Sequence, residues 1–359
     1  MAGAIDRKYW QGLVLAALLS LAGLTAVNFF TSGEILSGVV AQLRRAHFYL
    51  AVALVVALWL FEGLRTKAIL EITGNRIGFW AAFQVQMASN FAAYVTPLAS
   101  GGPPVETYLL WRQGVPLDRS LAMVSVRLLL TFGFFVVTVP LLLLVGWKVL
   151  HLSWPLLAAA VAAVALMLLS FVLFFYFVYR PTLVEKMAWR IMRWLPIGRL
   201  RNPEAWTGRI EQEVAKFGHT LSLLLRCGWR SLGFLAGCTV AIWALFFSVA
   251  PVLLWGLGYP VPWAAATIRQ ILLYFLFSYV PLPGASGVAE VGYASLFASL
   301  VPSSVLAGFV ATWRLLTYYA GVAVGAPMLL RLARAPGVEM GSESPLVKTG
   351  EAVMGRKVG

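Results

Sequence analysis

Hydrophobic residues along this chain fall into long runs that are separated by short polar or basic stretches. A helix that crosses a bilayer needs about 20 mostly apolar residues, and six runs reach that length. The predicted membrane-spanning helices cover residues 10–30, 48–66, 118–146, 154–178, 231–257 and 303–330. Arg7 and Lys8 precede the first run, which is too long for the apolar core of a secretory signal. We therefore interpret it as an uncleaved transmembrane helix.

Two further apolar segments are interrupted by polar side chains and end in proline and glycine. Residues 78–97 run into TPLASGGPP, and residues 263–280 run into PLPGASG. A stretch too short to span the membrane follows each break, at 104–113 and 288–300. Irregular backbone at membrane depth must be buried in protein or line a cavity. We therefore predict two re-entrant helical hairpins whose tips meet near the membrane centre. The tip residues are Pro97, Gly101, Gly102, Pro281, Pro283, Gly284, Ser286 and Gly287.

Basic residues predict the orientation of the chain, because short cytoplasmic loops carry an excess of lysine and arginine. Residues 179–230 hold ten Lys/Arg and four Asp/Glu, so we predict a cytoplasmic amphipathic loop on the inner membrane surface. The first hairpin then enters from the cytoplasm and the second from outside. Both termini are cytoplasmic, including the polar tail 335–359. Arg44 and Arg45 fall on the outer side and depart from the rule.

The two hairpins resemble one another in sequence. At an offset of 184 residues, Pro97 aligns with Pro281 and Glu106 aligns with Glu290. An arginine-bearing helix follows each glutamate. This pattern indicates an internal repeat, although the identical positions are few.

The predicted topology strengthens the repeat. Residues 10–146 and 154–330 would each contain two helices, a hairpin and a helix, with opposite orientation in the membrane. Inverted repeats with broken helices are the architecture of many transporters, whose binding site lies between the repeats. The predicted fold is thus an all-α polytopic membrane protein with one transmembrane domain, residues 1–334.

Composition excludes a soluble protein. Sixty percent of the 359 residues are hydrophobic and 12% are charged, whereas soluble domains carry about 25% charged residues. The net charge of +14 is explained by cytoplasmic loops, so we expect no nucleic-acid partner. Cys227 and Cys238 lack metal-type neighbours, and we expect free thiols without a metal or cofactor.

Five charged residues lie within or beside the apolar segments. A charge at the bilayer centre costs about 2.5–3.5 kcal/mol on insertion scales, and such residues usually serve function. The predicted substrate-binding residues are Glu106, Arg127, Arg269, Glu290 and Arg314. A structural alternative stays open, in which the glutamates lie in the first turn of the return helices, where they favour the helix dipole, and the arginines neutralise them.

The chemistry of these groups favours an anionic ligand. Two helix N-termini that point to the membrane centre attract an anion, and arginine presents forked donors suited to phosphate. The glutamates could balance the arginines, bind an amine or carry a proton. Glu62 and Arg65, three residues apart, are interpreted as a local surface pair.

One motif has to be weighed against enzymatic activity. The sequence GASG at 284–287 matches the G-x-S-G of intramembrane serine proteases. A nucleophilic serine needs a base within hydrogen-bond reach, and no histidine lies centrally in a predicted membrane segment. We therefore expect Ser286 to cap the return helix and the protein not to be an enzyme.

The two break motifs carry a resemblance to a known family. With Thr96-Pro97 through Gly101-Gly102-Pro103, and P-x-P-G-x-x-G-x-x-E from Pro281 to Glu290, the chain resembles the flippase-like membrane family. That family includes the transmembrane flippase region of lysylphosphatidylglycerol synthases and the UPF0104 proteins. The resemblance covers about residues 10–330, with Ala285 where the family often has a second glycine.

The resemblance implies translocation of a polar phospholipid or glycolipid across the bacterial inner membrane, with membrane lipids as partners. Because we identify no transferase domain, it also implies a separate lipid-modifying enzyme. Two alternatives stay open: a secondary transporter of a small anionic or amphiphilic solute, and a non-transporting accessory subunit for lipid or glycan synthesis.

Overall fold

A computed structural model describes residues 43–150, 154–178 and 226–334, and all regular structure in these residues is helical. The α-helices are α1 (Arg45–Ile72), α2 (Phe79–Tyr94), α3 (Gly102–Arg112), α4 (Leu117–Leu150), α5 (Trp154–Val178), α6 (Trp229–Gly256), α7 (Trp263–Phe277), α8 (Val288–Phe297), α9 (Ser303–Arg314) and α10 (Ala320–Arg334). Two short 3₁₀ turns interrupt the chain, the first turn (Pro97–Ala99) and the second turn (Pro283–Ala285). The predicted helix 10–30, most of the loop 179–230 and the tail 335–359 lie outside the described residues.

Four of the described helical segments are long and apolar enough to cross a membrane. They are Arg45–Ile72, Leu117–Leu142, Trp229–Gly256 and Ser303–Arg334. The helix α5 is also apolar and has 25 residues. The outer faces of α4 and α5 expose large apolar side chains, among them Leu144 and Val172. The chain is therefore a multi-pass helical membrane protein.

Helix α10 packs tightly against α2 through two glycines spaced four residues apart. A β-carbon on Gly321 would lie 2.7 Å from the Tyr94 ring, and one on Gly325 would collide with the Met87 carbonyl oxygen. Small residues at this spacing let two helix backbones approach closely in a membrane. The contact places the tip of α2 beside the beginning of α10.

Each predicted break lies where the chain doubles back. Helix α2 passes through the first turn into α3, which packs against it, and α7 passes through the second turn into α8. The first return helix begins at Gly102, two residues before the predicted start. The second begins at Val288 as predicted and ends at Phe297. The two turns contact one another, so the structure joins both breaks at one place.

The backbone of the two turns corrects the register of the sequence repeat. Leu98 (φ 54°, ψ 24°) and Gly284 (φ 56°, ψ 22°) hold the same left-handed position in the two turns. Pro97 therefore corresponds to Pro283, 186 residues later, and the predicted pairing of Pro97 with Pro281 at an offset of 184 is wrong. The sequence alignment matched the two Pro-Leu dipeptides because they are identical. The backbone instead matches the two residues that directly follow the first proline of each turn, Leu98 and Gly284.

The return helices keep the corrected register, but their glutamates do not. Gly101 and Gly287 both precede the first residue of a return helix. Glu290 is the third residue of α8 and lies in its first turn, while Glu106 is the fifth residue of α3 and lies beyond the first turn. The expectation that both glutamates lie in the first turn is therefore wrong for Glu106. The two turns share a backbone conformation, but the chain diverges directly after them, because Gly101 has φ −78° and Gly287 has φ +83°.

Helices α9 and α10 form one continuous rod with a π-helical segment between them. The segment covers Leu315–Tyr319 and directly follows Arg314. A π turn inserts an extra residue into an α-helix and is frequent at functional sites. The segment contacts α1 and carries Tyr318 toward the two turns.

Candidate functional site

The first hairpin buries a carboxylate on an arginine of the following helix. The Arg127 guanidinium on α4 donates from Nη2 to Glu106 Oε2 at 2.5 Å. Glu106 is fully buried, and its Oε1 has no hydrogen-bond partner among the described residues. The Ser89 hydroxyl on α2 lies 3.4 Å from Glu106 Oε2 and donates to the Gly102 carbonyl at 3.1 Å. Oε2 of this carboxylate is thus hydrogen-bonded, and Oε1 can accept a further hydrogen bond.

The second hairpin buries its carboxylate in a denser network. Arg314 at the end of α9 donates from Nε to Glu290 Oε1 at 2.8 Å. Its Nη2 donates to the Gly284 carbonyl at 2.8 Å and reaches the Ser286 hydroxyl at 3.1 Å. The Gly287 amide donates to Glu290 Oε2 at 2.7 Å. Removing one partner of such a buried pair is strongly destabilising, because an uncompensated charge stays behind.

Glu290, and not Ser286, caps the second return helix. The Glu290 carboxylate accepts the backbone N–H of Gly287, the residue that precedes α8. Ser286 makes no cap bond and instead accepts from Arg314. The prediction that Ser286 caps the helix is wrong, because the turn places its hydroxyl toward α9. Glu290 thus caps the helix and pairs with Arg314, which are the contacts that the structural alternative predicts.

Tyr318 connects the two hairpins. Its ring lies under the Arg314 guanidinium, with the Cζ atom 4.4 Å from the ring centroid, which is a cation–π contact. Its hydroxyl donates to the Tyr94 carbonyl oxygen at 3.1 Å, at the end of α2. The Tyr94 and Tyr318 rings are 5.2 Å apart. A single side chain from the π segment therefore joins the arginine of the second hairpin to the backbone of the first.

Two features of the second turn favour glycine at position 284. Its φ of +56° is unfavourable for residues with a β-carbon, and a β-carbon there would collide with the Tyr318 ring. Leu98 and Ala99 in the first turn, and Ala285 in the second, adopt positive φ as well. They are the non-glycine residues with positive φ in the described part of the chain. Such strained backbone concentrates at functional sites.

The remaining tip residues take different positions. Gly101 donates its amide to Thr96 Oγ1 at 2.8 Å, and Gly102 packs against Ala93 and Ser89 of α2. Pro283 begins the second turn and is buried, whereas Pro281 lies before it and is exposed.

Arg269 does not join the two pairs. It lies on α7, and its Nη1 donates to the Ala265 carbonyl of its own helix at 3.1 Å. Its side chain is largely buried, yet it forms no ion pair with a carboxylate in the described ranges. The sequence grouped Arg269 with the other charges because it lies in an apolar segment, but helix phase directs it elsewhere.

The structure adds a polar chain to the site that the sequence analysis missed. Glu62 Oε2 accepts from the Asn90 amide at 2.7 Å, and Asn90 Oδ1 accepts from Gln86 at 2.9 Å. Gln86 Oε1 in turn accepts from the Thr66 hydroxyl at 2.8 Å. The interruptions of the apolar pattern at Gln86 and Asn90 were the available signal, because polar side chains in a membrane helix need partners.

The predicted surface pair of Glu62 and Arg65 is wrong. Arg65 is 2% exposed and donates from Nη1 to Thr239 Oγ1 on α6 at 3.1 Å. Glu62 faces Asn90 on α2 instead. Spacing by three residues allowed a pair, but the neighbouring helices supply a closer partner for each group.

Comparison with known proteins identifies the family. The model of the lysylphosphatidylglycerol synthase TM region matches residues 11–325, which include both hairpins and both glutamate–arginine pairs. The chain belongs to this family. A UPF0104 membrane protein of Archaeoglobus fulgidus is 28% identical over 319 residues, which is 87% of this chain and 94% of that protein. The resemblance seen in the sequence is thus confirmed for the lysylphosphatidylglycerol synthase TM family. No solved structure matches the chain.

Proposed function

We propose that this member of the lysylphosphatidylglycerol synthase TM family is a lipid translocase. It would move a phospholipid or glycolipid with a polar headgroup across the cytoplasmic membrane, between the two hairpins. The observation that carries the proposal is the convergence of two buried glutamate–arginine pairs on two broken helices whose turns touch. Family membership supports a lipid-related role, since the family is described by a lipid synthase.

The proposed architecture is an inverted repeat of six spanning helices and two re-entrant hairpins, with both termini cytoplasmic. Its support is the shared backbone of the two turns and the shared helix–turn–helix order around them. In transporters of this design the site lies where the broken helices meet. Contact between the first and second turns fits such a site.

The proposed role of the arginines is to bind the headgroup phosphate. Arg127 and Arg314 each have forked donors, and such donors bind phosphate in a bidentate manner. Phosphate would displace the carboxylate that each arginine holds in the unloaded protein. The acyl chains would remain in the bilayer while the headgroup passes the turns. No cofactor enters this scheme, and a separate enzyme would make the lipid.

Translocation can be measured in proteoliposomes that contain fluorescent NBD-phosphatidylglycerol or an NBD-labelled glycolipid. Dithionite bleaches only the outer leaflet, so the fraction bleached reports the exchange of lipid between leaflets. We expect the wild-type protein to expose nearly all of the label and Arg314→Ala to slow exchange about ten- to hundredfold. This is the effect of losing charge-assisted bonds worth about 1.5–3 kcal/mol.

The matched control is Arg334→Ala, which removes an exposed arginine from the end of α10. It should exchange lipid like the wild type. Reconstitution yield and size-exclusion profile separate loss of folding from loss of transport. A well-folded wild-type protein that exchanges neither lipid above protein-free vesicles would refute the proposal and favour a solute transporter or an accessory subunit.

A further inference from the structure

Glu62 is a carboxylate inside a membrane helix that lacks an ion pair. It lies in α1, about 15 Å along the axis from the Ile72 end at 1.5 Å per residue. Asn90 supplies its hydrogen bond, and no Lys or Arg of the described ranges lies within salt-bridge distance. The Glu62 residue is partly buried, and a neutral amide is a weak partner for a charge withdrawn from water, since such a charge is tolerated when it is paired.

The arginines near Glu62 are held by other groups. Arg65, one turn away on α1, donates to Thr239, and Arg127 on α4 is bound to Glu106. Both nevertheless act electrostatically on Glu62, as does Glu106. Glu62 therefore belongs to a charge cluster with Arg65, Glu106 and Arg127, but it forms no salt bridge within that cluster. Its hydrogen-bond donor is Asn90 of α2. The titratable groups that interact with it electrostatically are Arg65 of α1, Tyr94 of α2, Glu106 of α3, Arg127 of α4 and Tyr274 of α7.

The charge of this cluster depends on the proton of one group. Glu106 and Arg127 cancel one another, which leaves Arg65 and Glu62. The cluster is neutral when Glu62 is ionised and carries one positive charge when Glu62 is protonated. A buried site with net positive charge attracts an anion far more strongly than a neutral one, because the local dielectric is low.

We propose that Glu62 is a proton-binding site that couples proton movement to binding of an anionic headgroup at the first hairpin. This inference rests on the proposed translocase function. Proton uptake by Glu62 gives the cluster a positive charge and favours binding of the headgroup phosphate. Proton release on the opposite side of the membrane favours dissociation of the phosphate. The Asn90–Gln86–Thr66 chain holds the carboxylate in position through its bond to Asn90.

Infrared spectroscopy of the purified protein in nanodiscs tests proton binding without any transport. A protonated buried carboxyl gives a C=O stretch that disappears as it ionises. We expect the wild type to show one such band that is lost as the pH is raised, and Glu62→Gln to lack it. Glu71→Gln is the matched control, because Glu71 lies on the same helix, is exposed and pairs with Lys67 at 3.3 Å.

The absence of a titrating band in the wild type, or its persistence in Glu62→Gln, would overturn the assignment of the proton to Glu62. This result does not depend on whether the protein moves lipid. A folded Glu62→Gln protein is expected, since glutamine can keep an oxygen acceptor for the Asn90 amide. A Glu62→Asp variant should restore the band at a shifted pH.

The coupling is tested in the NBD-phosphatidylglycerol assay with a pH gradient across the vesicle. Wild-type and Glu71→Gln proteins should change their exchange rate several-fold when the gradient is imposed. Glu62→Gln should exchange lipid at a rate that ignores the gradient. If wild-type exchange is active but indifferent to the gradient, the coupling proposal fails while the translocase proposal stands. If no exchange occurs at all, the translocase proposal fails, and the infrared result alone decides the proton site.

Discussion

Three residues with a β-carbon adopt a positive, left-handed φ in the two turns. Leu98 and Ala99 lie in the first turn, and Ala285 lies in the second. A left-handed residue with a β-carbon costs about 1–2 kcal/mol. Two hydrogen bonds around the turns stabilise this unfavourable backbone. Arg314 donates to the Gly284 carbonyl, and Tyr318 donates to the Tyr94 carbonyl.

The equivalent turn positions should respond to substitution in opposite directions. Leu98→Gly relieves the left-handed strain of an exposed side chain and should raise the free energy of unfolding by up to about 1 kcal/mol. Gly284→Ala adds a β-carbon against the Tyr318 ring and should lower it by about 1–3 kcal/mol. Thermal unfolding of the detergent-purified variants measures both shifts.

Gly237→Ala provides the control for these variants, because a β-carbon at this position in α6 meets no atom within 4 Å. It should leave the unfolding temperature unchanged or raise it slightly, since alanine favours a helix over glycine. Equal destabilisation by Gly284→Ala and Gly237→Ala would contradict a special role for the turn.

Helix α6 contains a proline whose missing hydrogen bond is repaired by α7. Pro251 has no N–H to donate to the Phe247 carbonyl oxygen one turn earlier. The Gln270 side chain on α7 donates to that oxygen at 2.8 Å, and Tyr293 on α8 donates to Gln270 Oε1 at 3.3 Å. The break in α6 thereby becomes a fixed joint between α6 and the second hairpin.

A double-mutant cycle tests this joint. Gln270→Leu leaves the buried Phe247 carbonyl without a partner and should cost about 1–3 kcal/mol of unfolding free energy. In a Pro251→Ala background the helix supplies its own N–H, so the same substitution should cost clearly less. Identical costs in both backgrounds would show that Gln270 does not act through the Phe247 carbonyl.

The sequence predicted the helices well and the partners of their polar groups poorly. Apolar run length and the Pro/Gly breaks located the described long helices and the two turns to within six residues, because lipid demands continuous helix elsewhere. The alignment at Pro281 failed, since two identical residues outweighed backbone conformation. The partner of Glu62 was predicted wrongly, because Asn90 lies on another helix. The spacing of residues within α1 does not reveal which face of α1 packs against α2.

At the scale of the molecule, the two hairpins should open to opposite sides of the membrane. Leu117→Cys, which follows the first hairpin, and Ser299→Cys, which follows the second, are exposed sites for labelling. In a background without Cys227 and Cys238, a membrane-impermeant maleimide should label Ser299→Cys in intact cells. It should label Leu117→Cys only after the cells are permeabilised. Labelling of both from the same side would contradict the inverted repeat.

The π segment between α9 and α10 gives the rod a means of rotation. One extra residue in a helix turns the flanking part by about 100° relative to an unbroken α-helix. If the bulge shifted along the rod past Arg314, the guanidinium would swing away from Gly284, Ser286 and Glu290 together. All hydrogen bonds from Arg314 to the second hairpin would then break in one step. Movement of the π bulge along a single helix would thus switch the protein between two discrete states.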